Sequence, residues 1–283
     1  MSFFERPASS ILHPTDFSPT SERAFAHALA IAIANKARLT ILHVSNQSKE
    51  ATPWHEYPSV RKTLEKWGCL APGSSQSDVT SKLGIDIEKS VIIDKNIVKS
   101  IVRYVEEDYF DLIVLGTDEN RGLPFSLGNH VAVPVSRKTH LPTLFVPQDL
   151  EGCVSPSDGT VTLNRVLLPV DHQPNAQPAL ERISWTMEKV GGEGVKISLL
   201  HVGSEERFPP LVAADEQPLA WERLTRRGDP ATEIVRAAKE LEADIIVMVS
   251  AGQTGFWDAI RGSTAQQVLR KAPCPIFTMP AGI

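Results

Sequence analysis

The sequence predicts an α/β protein made of two tandem copies of one unit, each an open, doubly wound parallel sheet flanked by helices. Three observations carry this reading. Four segments recur in the same order in the two halves, and internal repetition is the first feature to settle in assigning a fold. Short runs that are apolar throughout alternate with helical patterns, as strands buried on both faces alternate with crossover helices. The chain has 283 residues, which at ~150 per domain is room for about two.

The repeats set the organisation. Ile11-Leu-His-Pro-Thr-Asp16 matches Leu167-Leu-Pro-Val-Asp171, and Leu39-Thr-Ile-Leu-His-Val44 matches Ile197-Ser-Leu-Leu-His-Val202. Asp111-Leu-Ile-Val-Leu115 matches Asp244-Ile-Ile-Val-Met248, and Arg137-Lys-Thr-His-Leu-Pro142 matches Arg270-Lys-Ala-Pro-Cys-Pro275. The first two pairs lie 155 and 158 residues apart, the last two 133. The difference requires an insertion in the first copy between its second and third matched segments. Residues 45–84, rich in Ser, Pro and Gly and carrying Trp54 and Trp67, fit that place. Residues 149–164 have the Gly, Ser, Pro and Asp content of a linker. The expected domains are therefore 1–148 and 165–283.

Within each copy the elements follow in order. The first strand, Val166–Val170 in the second copy, leads into Asp16 or Asp171, and the second ends at Val44 or Val202; the fourth covers Asp111–Leu115 or Ile245–Val249, and the last Thr143–Val146 or Pro275–Met279. Ser18-Pro19 opens the first helix, with Ser as N-cap and Pro at the first helical position. Its counterpart carries Leu180, Ile183, Met187 and Val190 on one stripe and ends at Gly191-Gly192. Asp229-Pro230 opens a further helix through Ile234, Val235, Ala238 and Leu241.

Composition narrows the function. A 42% hydrophobic and 22% charged chain is globular. A net charge of −5 gives no basic field for nucleic acid or an anionic membrane. No apolar run reaches the ~18 residues of a membrane span, and the first ten residues lack a secretory core. Cys69, Cys153 and Cys274 form no Cys-x-x-Cys pair, so they read as reduced thiols and no metal site is expected. A cytoplasmic protein is the expectation.

Open α/β sheets bind ligands beyond the carboxyl ends of their strands, at the switch point, which for the order 3-2-1-4-5 lies between strands 1 and 4. In the second copy that place holds Val170, Asp171 and the stretch Val249-Ser-Ala-Gly252-Gln-Thr-Gly255, followed by Gly262-Ser263-Thr264 at a helix start. Such a start presents free N–H groups, hydroxyls and the positive dipole end to an anion. Gly252 and Gly255 permit close backbone approach to a phosphate. Asp171 is an acceptor suited to an adenine amino group or ribose hydroxyls. The same residues also read as a glycine-rich turn and an ordinary helix cap. His43 and His201 sit at matched places on the second strand and read as packing or hydrogen-bonding residues. Arg226-Arg227 reads as polar rim, with phosphate contact as the alternative. No Walker A loop, Gly-x-Ser-x-Gly elbow or His-Glu-x-x-His occurs.

Taken together, the Pro-x-Asp after strand 1, Leu-Leu-His-Val on strand 2, Asp-x-Ile-Val-Met on strand 4, the spaced glycines and the closing Ala-Pro-Cys-Pro resemble the universal stress protein family. The resemblance covers both copies and implies the five-stranded sheet in the order 3-2-1-4-5. ATP-binding members of that family carry Gly-x-x-Gly, nine residues, then Gly-Ser/Thr; other members bind no nucleotide. The second copy matches at Gly252, Gly262 and Ser263 and has Val249 in place of the first glycine. The first copy gives Gly116-x-x-Glu119, a spacer one residue short, then Gly128-Asn129, with Asp118 beside Glu119. A carboxylate there repels phosphate.

The resemblance therefore implies a stress-response regulatory protein that binds ATP, with Mg2+ as an accompanying ion, mainly in the second copy. The residues implied are Val170, Asp171, Val202, Gly252, Gly255, Gly262, Ser263 and Thr264. Asp16, Val44, Gly116, Gly128 and Asn129 form the weaker counterpart in the first copy. The alternatives are a stress scaffold without nucleotide and a slow ATPase, for which no positioned general base is visible. Expected partners are an adenine nucleotide and a protein the sequence does not name. The terminal strands are expected to pair the copies as an intrachain pseudo-dimer, with a homodimer as a further assembly.

Overall fold

The structure is a computed structural model and describes residues 9–45, 59–117, 131–147, 150, 152–190, 194–212, 220–250 and 264–280. The chain divides into two compact units, one reaching Val161 and the other running from Thr162 to Ile283. Each is an α/β unit with a parallel sheet.

In the first unit the strands are β1 (Ser10–Pro14), β2 (Arg38–Ser45), β3 (Asp86–Ile93), β4 (Leu112–Thr117) and β5 (Thr143–Pro147). They lie in the order β3-β2-β1-β4-β5, all parallel, which is the expected 3-2-1-4-5. The crossover helices are α1 (Pro19–Asn35), α2 (Val60–Lys66), α3 (Gln76–Leu83), α4 (Ile97–Glu107) and α5 (Ala132–Thr139). Helix α1 starts as its sequence dictates: the Ser18 side chain accepts the Ser21 N–H and Pro19 occupies the first turn. It buries Ala24, Phe25, Ala28, Leu29 and Ala32, and the small alanines let the helix sit close to the sheet. The insertion supplies α2 and α3. Helix α3 is closed by a capping box between Ser75 and Asp78.

The segment with linker composition docks on the first unit. Cys153 and Val154 are buried, and Val154 pairs antiparallel with Val161. The Cys153 N–H donates to His27 Nε2 at 3.1 Å, and Trp67 Nε1 donates to the Pro156 carbonyl at 3.3 Å. Gly159 lies against the Trp67 indole with φ +75°; a Cβ there would fall 2.5 Å from Trp67 Cδ2. Its composition was that of a connector, but residues 150 and 152–161 belong to the first unit.

The second unit repeats the plan with β6 (Arg165–Pro169), β7 (Lys196–Val202), β8 (Ala220–Arg226), β9 (Ile245–Ser250) and β10 (Ile276–Pro280). The order β8-β7-β6-β9-β10 is again 3-2-1-4-5. Helices α6 (Gln177–Val190), α7 (Pro230–Glu240) and α8 (Thr264–Lys271) flank it. Asp229 caps α7 by accepting the Thr232 N–H. Its core gathers Val166, Leu168, Val170, Leu180, Ile183, Ile197, Leu199 and Val247, with Val249 packed against them.

The repeat extends to single hydrogen bonds. Asp111 Oδ2 accepts the N–H groups of Ser9 and Ser10 at 2.7 and 2.9 Å. Asp244 Oδ2 accepts those of Asn164 and Arg165 at 2.7 and 2.8 Å. Each aspartate thereby clamps the amino start of its copy's first strand. At the other end, His43 Nδ1 donates to the Thr15 carbonyl at 2.8 Å and His201 Nδ1 to the Val170 carbonyl at 3.3 Å. The matched histidines tie the second strand to the end of the first.

Candidate functional site

Beyond the carboxyl ends of β1 and β4, which are neighbours in the sheet, the first unit forms a cavity of about 170 Å³ that opens to solvent. Thr15, Asp16, Ser18 and Ser21 form one wall, supplied by the β1–α1 turn. Leu42 and Val44 come from β2, Ile97 and Ile101 from α4, and Leu115 and Gly116 from β4; Val131 and Ala132 close it at the start of α5. Three of the five expected first-copy residues, Asp16, Val44 and Gly116, therefore meet at one cavity. Gly128 and Asn129 lie outside the described residues, as do Asp118 and Glu119.

The turn that carries Asp16 is held from several sides. The Phe17 N–H donates to Thr15 Oγ1 at 3.1 Å, and the Phe17 ring stacks on His43 at 4.3 Å. These contacts hold Phe17 at φ 64°, a conformation that costs a non-glycine residue free energy. Asp16 Oδ1 accepts the Ser18 N–H at 3.0 Å and the Ser21 hydroxyl at 2.7 Å. Burial pulls the Asp16 carboxyl upward, but the bonds from Ser18 and Ser21 outweigh it and hold the group below the usual carboxylate value. The cavity thus carries an ionised acceptor on a wall of hydroxyls, facing aliphatic side chains, and among the described residues no lysine or arginine lines it. Ser21 was not legible as a site residue, because a serine in a first helical turn reads as capping chemistry.

His13, on the strand leading to this turn, is fully buried. Its Nδ1 bonds the Val114 carbonyl at 3.1 Å, while Nε2 has no partner. Burial lowers its pKa to about 4, against the raising effect of the Val114 bond, so it stays neutral at physiological pH.

In the second unit the switch point lies between β6 and β9. Val170 is buried and donates its N–H to the Leu200 carbonyl at 2.8 Å. Asp171 is exposed, and its Oδ1 accepts the His172 N–H at 2.8 Å. Val202 ends β7 half-buried, and Thr264, also half-buried, opens α8. Gly252, Gly255, Gly262 and Ser263 lie outside the described residues. Arg226 is drawn into an ion-pair network, with Glu240 at 2.5 Å and Glu233 at 3.7 Å. Gly203 lies against the His201 ring: a Cβ there would fall 2.4 Å from His201 Nε2. Among the described residues no group of three or more His, Cys, Asp or Glu is placed to hold a metal ion. No helix there is long and apolar enough to cross a membrane.

Comparison with known proteins bears on this architecture. A model of the universal stress protein family matches residues 8–147 and 211–280. Among curated proteins, a universal stress protein of Methanocaldococcus jannaschii is 42% identical over 52 residues, 18% of this chain and 31% of that protein. One from Methanothermobacter thermautotrophicus is 35% identical over 66 residues, 23% of this chain and 44% of that protein. The matches therefore span less than half the length of these relatives. Among solved structures, a universal stress protein from Archaeoglobus fulgidus superimposes with a TM-score of 0.64 at 21% identity, covering 96% of this chain and 98% of that one. A functionally unknown protein from Pseudomonas aeruginosa gives a TM-score of 0.60 at 14% identity, covering 99% and 95%. At these identities the likeness speaks for the fold alone, and the family model, which matches well over half the chain, adds the kinship: the chain belongs to the universal stress protein family.

Proposed function

We propose that this protein is a stress-response regulatory module that binds an adenine nucleotide, with ATP taken in the second copy. In this reading Asp171 and Val202 face the adenosine. Gly252, Gly255, Gly262, Ser263 and Thr264 receive the phosphates. The observation that carries it is the convergence at the β6–β9 switch point: Asp171 follows the end of β6, and Thr264 opens α8 after β9. A helix start presents unpaired N–H groups and a positive dipole end to an anion. Asp171 uses one oxygen on its own turn and keeps acceptor capacity for a ligand. Mg2+ enters only with the phosphates, since it is typically held by one or two carboxylates together with substrate oxygens. No residue is assigned a catalytic role.

The test is a calorimetric titration of the full chain with ATP and Mg2+. The expected result is saturation near one nucleotide per chain. Two equivalent sites, or no binding, would overturn the reading. One observation favours a second reading, a scaffold without nucleotide. Val249 packs against the second unit's core at the position where the first copy has Gly116, and its side chain restricts backbone approach. Absence of ATP binding would decide for the scaffold.

A further inference from the structure

We propose that the hairpin ending the first unit, residues 152–161, is an acid-operated latch: it docks on helix α1 only while His27 is neutral, and protonation of that ring releases it. This latch lies in the connector and does not depend on the nucleotide reading above.

The strap is a built element. Val154 pairs with Val161. The Ser155 N–H donates to the Thr160 carbonyl and the Gly159 N–H to the Ser155 carbonyl, both at 2.9 Å. Asp158 Oδ1 closes the turn by accepting the Thr160 N–H at 3.0 Å. The hairpin then meets the rest of the unit at two places. Its tip lies on α2, where Lys66 Nζ and Trp67 Nε1 donate to the Pro156 carbonyl at 3.2 and 3.3 Å and Gly159 lies on the Trp67 indole. Its root lies on α1, where Arg23 donates to the Leu150 carbonyl and the Cys153 N–H donates to His27 Nε2 at 3.1 Å.

The root contact dictates the protonation of His27. Its Nδ1 bonds the Arg23 carbonyl at 2.8 Å. A carbonyl oxygen only accepts and an amide N–H only donates. The docked ring therefore carries its one proton on Nδ1 and offers a lone pair at Nε2. A second proton would sit on Nε2 and face the Cys153 N–H, donor against donor. His27 is 0% exposed, so the imidazolium gains no water while the strap is in place.

The surrounding charges give no relief. Arg23, one turn earlier on α1, adds a positive charge, and the strap brings the Cys153 thiol. Asp158 is spent on the turn and Lys66 of α2 on the Pro156 carbonyl. On its sheet side α1 packs on β1, β2, β4 and β5, whose ionisable side chains are His13, His43 and Arg38. These bond the Val114 carbonyl, the Thr15 carbonyl and Asp108. Among the described residues no carboxylate bonds His27. Burial accordingly lowers its pKa to about 4, with the Arg23 carbonyl acting against the shift and the Arg23 charge with it. A released ring returns toward the ordinary 6.5. Docking is therefore whole above about 6.5 and weakens as pH falls through the window to about 4. Between pH 8 and pH 5 the equilibrium moves about 30-fold toward the released strap. Val161 is followed by Thr162, where the second unit begins. Release thus extends the free connector before β6 from residues 162–164 to residues 152–164.

The experiment is hydrogen exchange of the full chain at pH 8 and pH 5, corrected for the intrinsic exchange rate and read by mass spectrometry on peptides covering the strap and β1. The natural protein is compared with His27→Gln, which keeps an acceptor near the place of Nε2 and takes no proton, and with Gly159→Val. In the natural protein, strap protection should fall about 30-fold at pH 5 while β1 stays protected. In His27→Gln it should not change with pH. Gly159→Val, whose side chain cannot share the Trp67 face, should release the strap at both pH values. There the His27 pKa, followed by NMR on the ring resonances that His27→Gln lacks, should rise from about 4 toward 6.5. Equal strap protection at both pH values in the natural protein overturns the proposal. So does an equal loss in His27→Gln, or a loss in β1 that accompanies the strap's and marks unfolding of the unit. If His27→Gln already lacks protection at pH 8, the Gly159→Val titration decides: a raised His27 pKa sustains the latch and an unchanged one overturns it.

Discussion

Replacing His13 by leucine should change how stability depends on pH more than it changes stability at neutral pH. His13 is 0% exposed, and the aligned position in the second copy is Leu168, also 0% exposed, so this place in the fold accommodates leucine. At pH 8 the substitution removes an unpartnered buried Nε2, whose burial costs about 1–3 kcal/mol, and forfeits the Val114 bond, worth about 1 kcal/mol. The net effect is a gain of about 0–2 kcal/mol. The pH dependence follows from linkage. The folded pKa is about 4, below the ordinary 6.5, so the unfolded chain binds the proton first as pH falls. The histidine's stabilising share is whole above about 6.5, declines through the window between the two values, and is fully lost below about 4. At pH 5 the natural protein has surrendered about 2 kcal/mol through this residue. Leucine cannot titrate, so its advantage should grow by that amount between pH 8 and pH 5. Urea denaturation of the full chain at both pH values, followed by far-UV circular dichroism on the transition the substitution moves, measures the difference. His27, likewise lowered to about 4 by burial, is present in both proteins and cancels. An advantage of the same size at both pH values would refute the reasoning.

Three further outcomes follow. Asp111→Ala removes the acceptor of two backbone N–H groups and of the Ser9 and Tyr109 hydroxyls; it should cost about 3–5 kcal/mol in urea denaturation, and a loss under 1 kcal/mol would show that water replaces the aspartate. Gly203→Ala places a methyl group 2.4 Å from His201 Nε2, so His201 must leave the Val170 carbonyl; a loss of about 1–3 kcal/mol is expected, and unchanged thermal stability would contradict the packing described. Gly262→Asp puts a side chain and a negative charge where the proposed phosphate contact is made; ATP affinity should drop about 10- to 100-fold, and unchanged binding by a folded variant would move the phosphates elsewhere.

Most of the fold was legible because four strands of each copy are buried on both faces and therefore read as unbroken apolar runs. The third strand was not. Edge strand β3 carries Asp86, Glu88 and Ser90 among its apolar residues and is half-exposed along most of its length, so its place followed from the repeat and not from its own pattern. Residues 150 and 152–161 were misleading for a different reason: Gly, Ser and Pro describe local turns, while docking depends on distant partners, His27 and Trp67. At the site, topology alone brought Asp16, Val44 and Gly116 together. The role of Ser21 required coordinates, because only geometry shows its hydroxyl reaching Asp16 Oδ1 as well as closing the helix turn.

Where the copies agree and where they differ separates scaffold from function. At the amino edge of each sheet the same aspartate clamps the start of the first strand, through Asp111 and Asp244. On the second strand the same histidine ties down the end of the first, through His43 and His201. These bonds satisfy backbone groups that any sheet of this order must satisfy, so both copies need them whatever they bind. Differences fall at the carboxyl edge, with Gly116 against Val249 and Ser21 against Ala176. Each changes volume or hydrogen-bond capacity at the switch point and leaves the strand order intact. The first copy has a cavity lined by Asp16 and the hydroxyls of Thr15, Ser18 and Ser21, and the second keeps in its sequence the glycine spacing that the proposed phosphate contact would use. The proposed single ATP site therefore depends on the second copy's edge, and a titration that saturates at one nucleotide per chain is the result this divergence predicts.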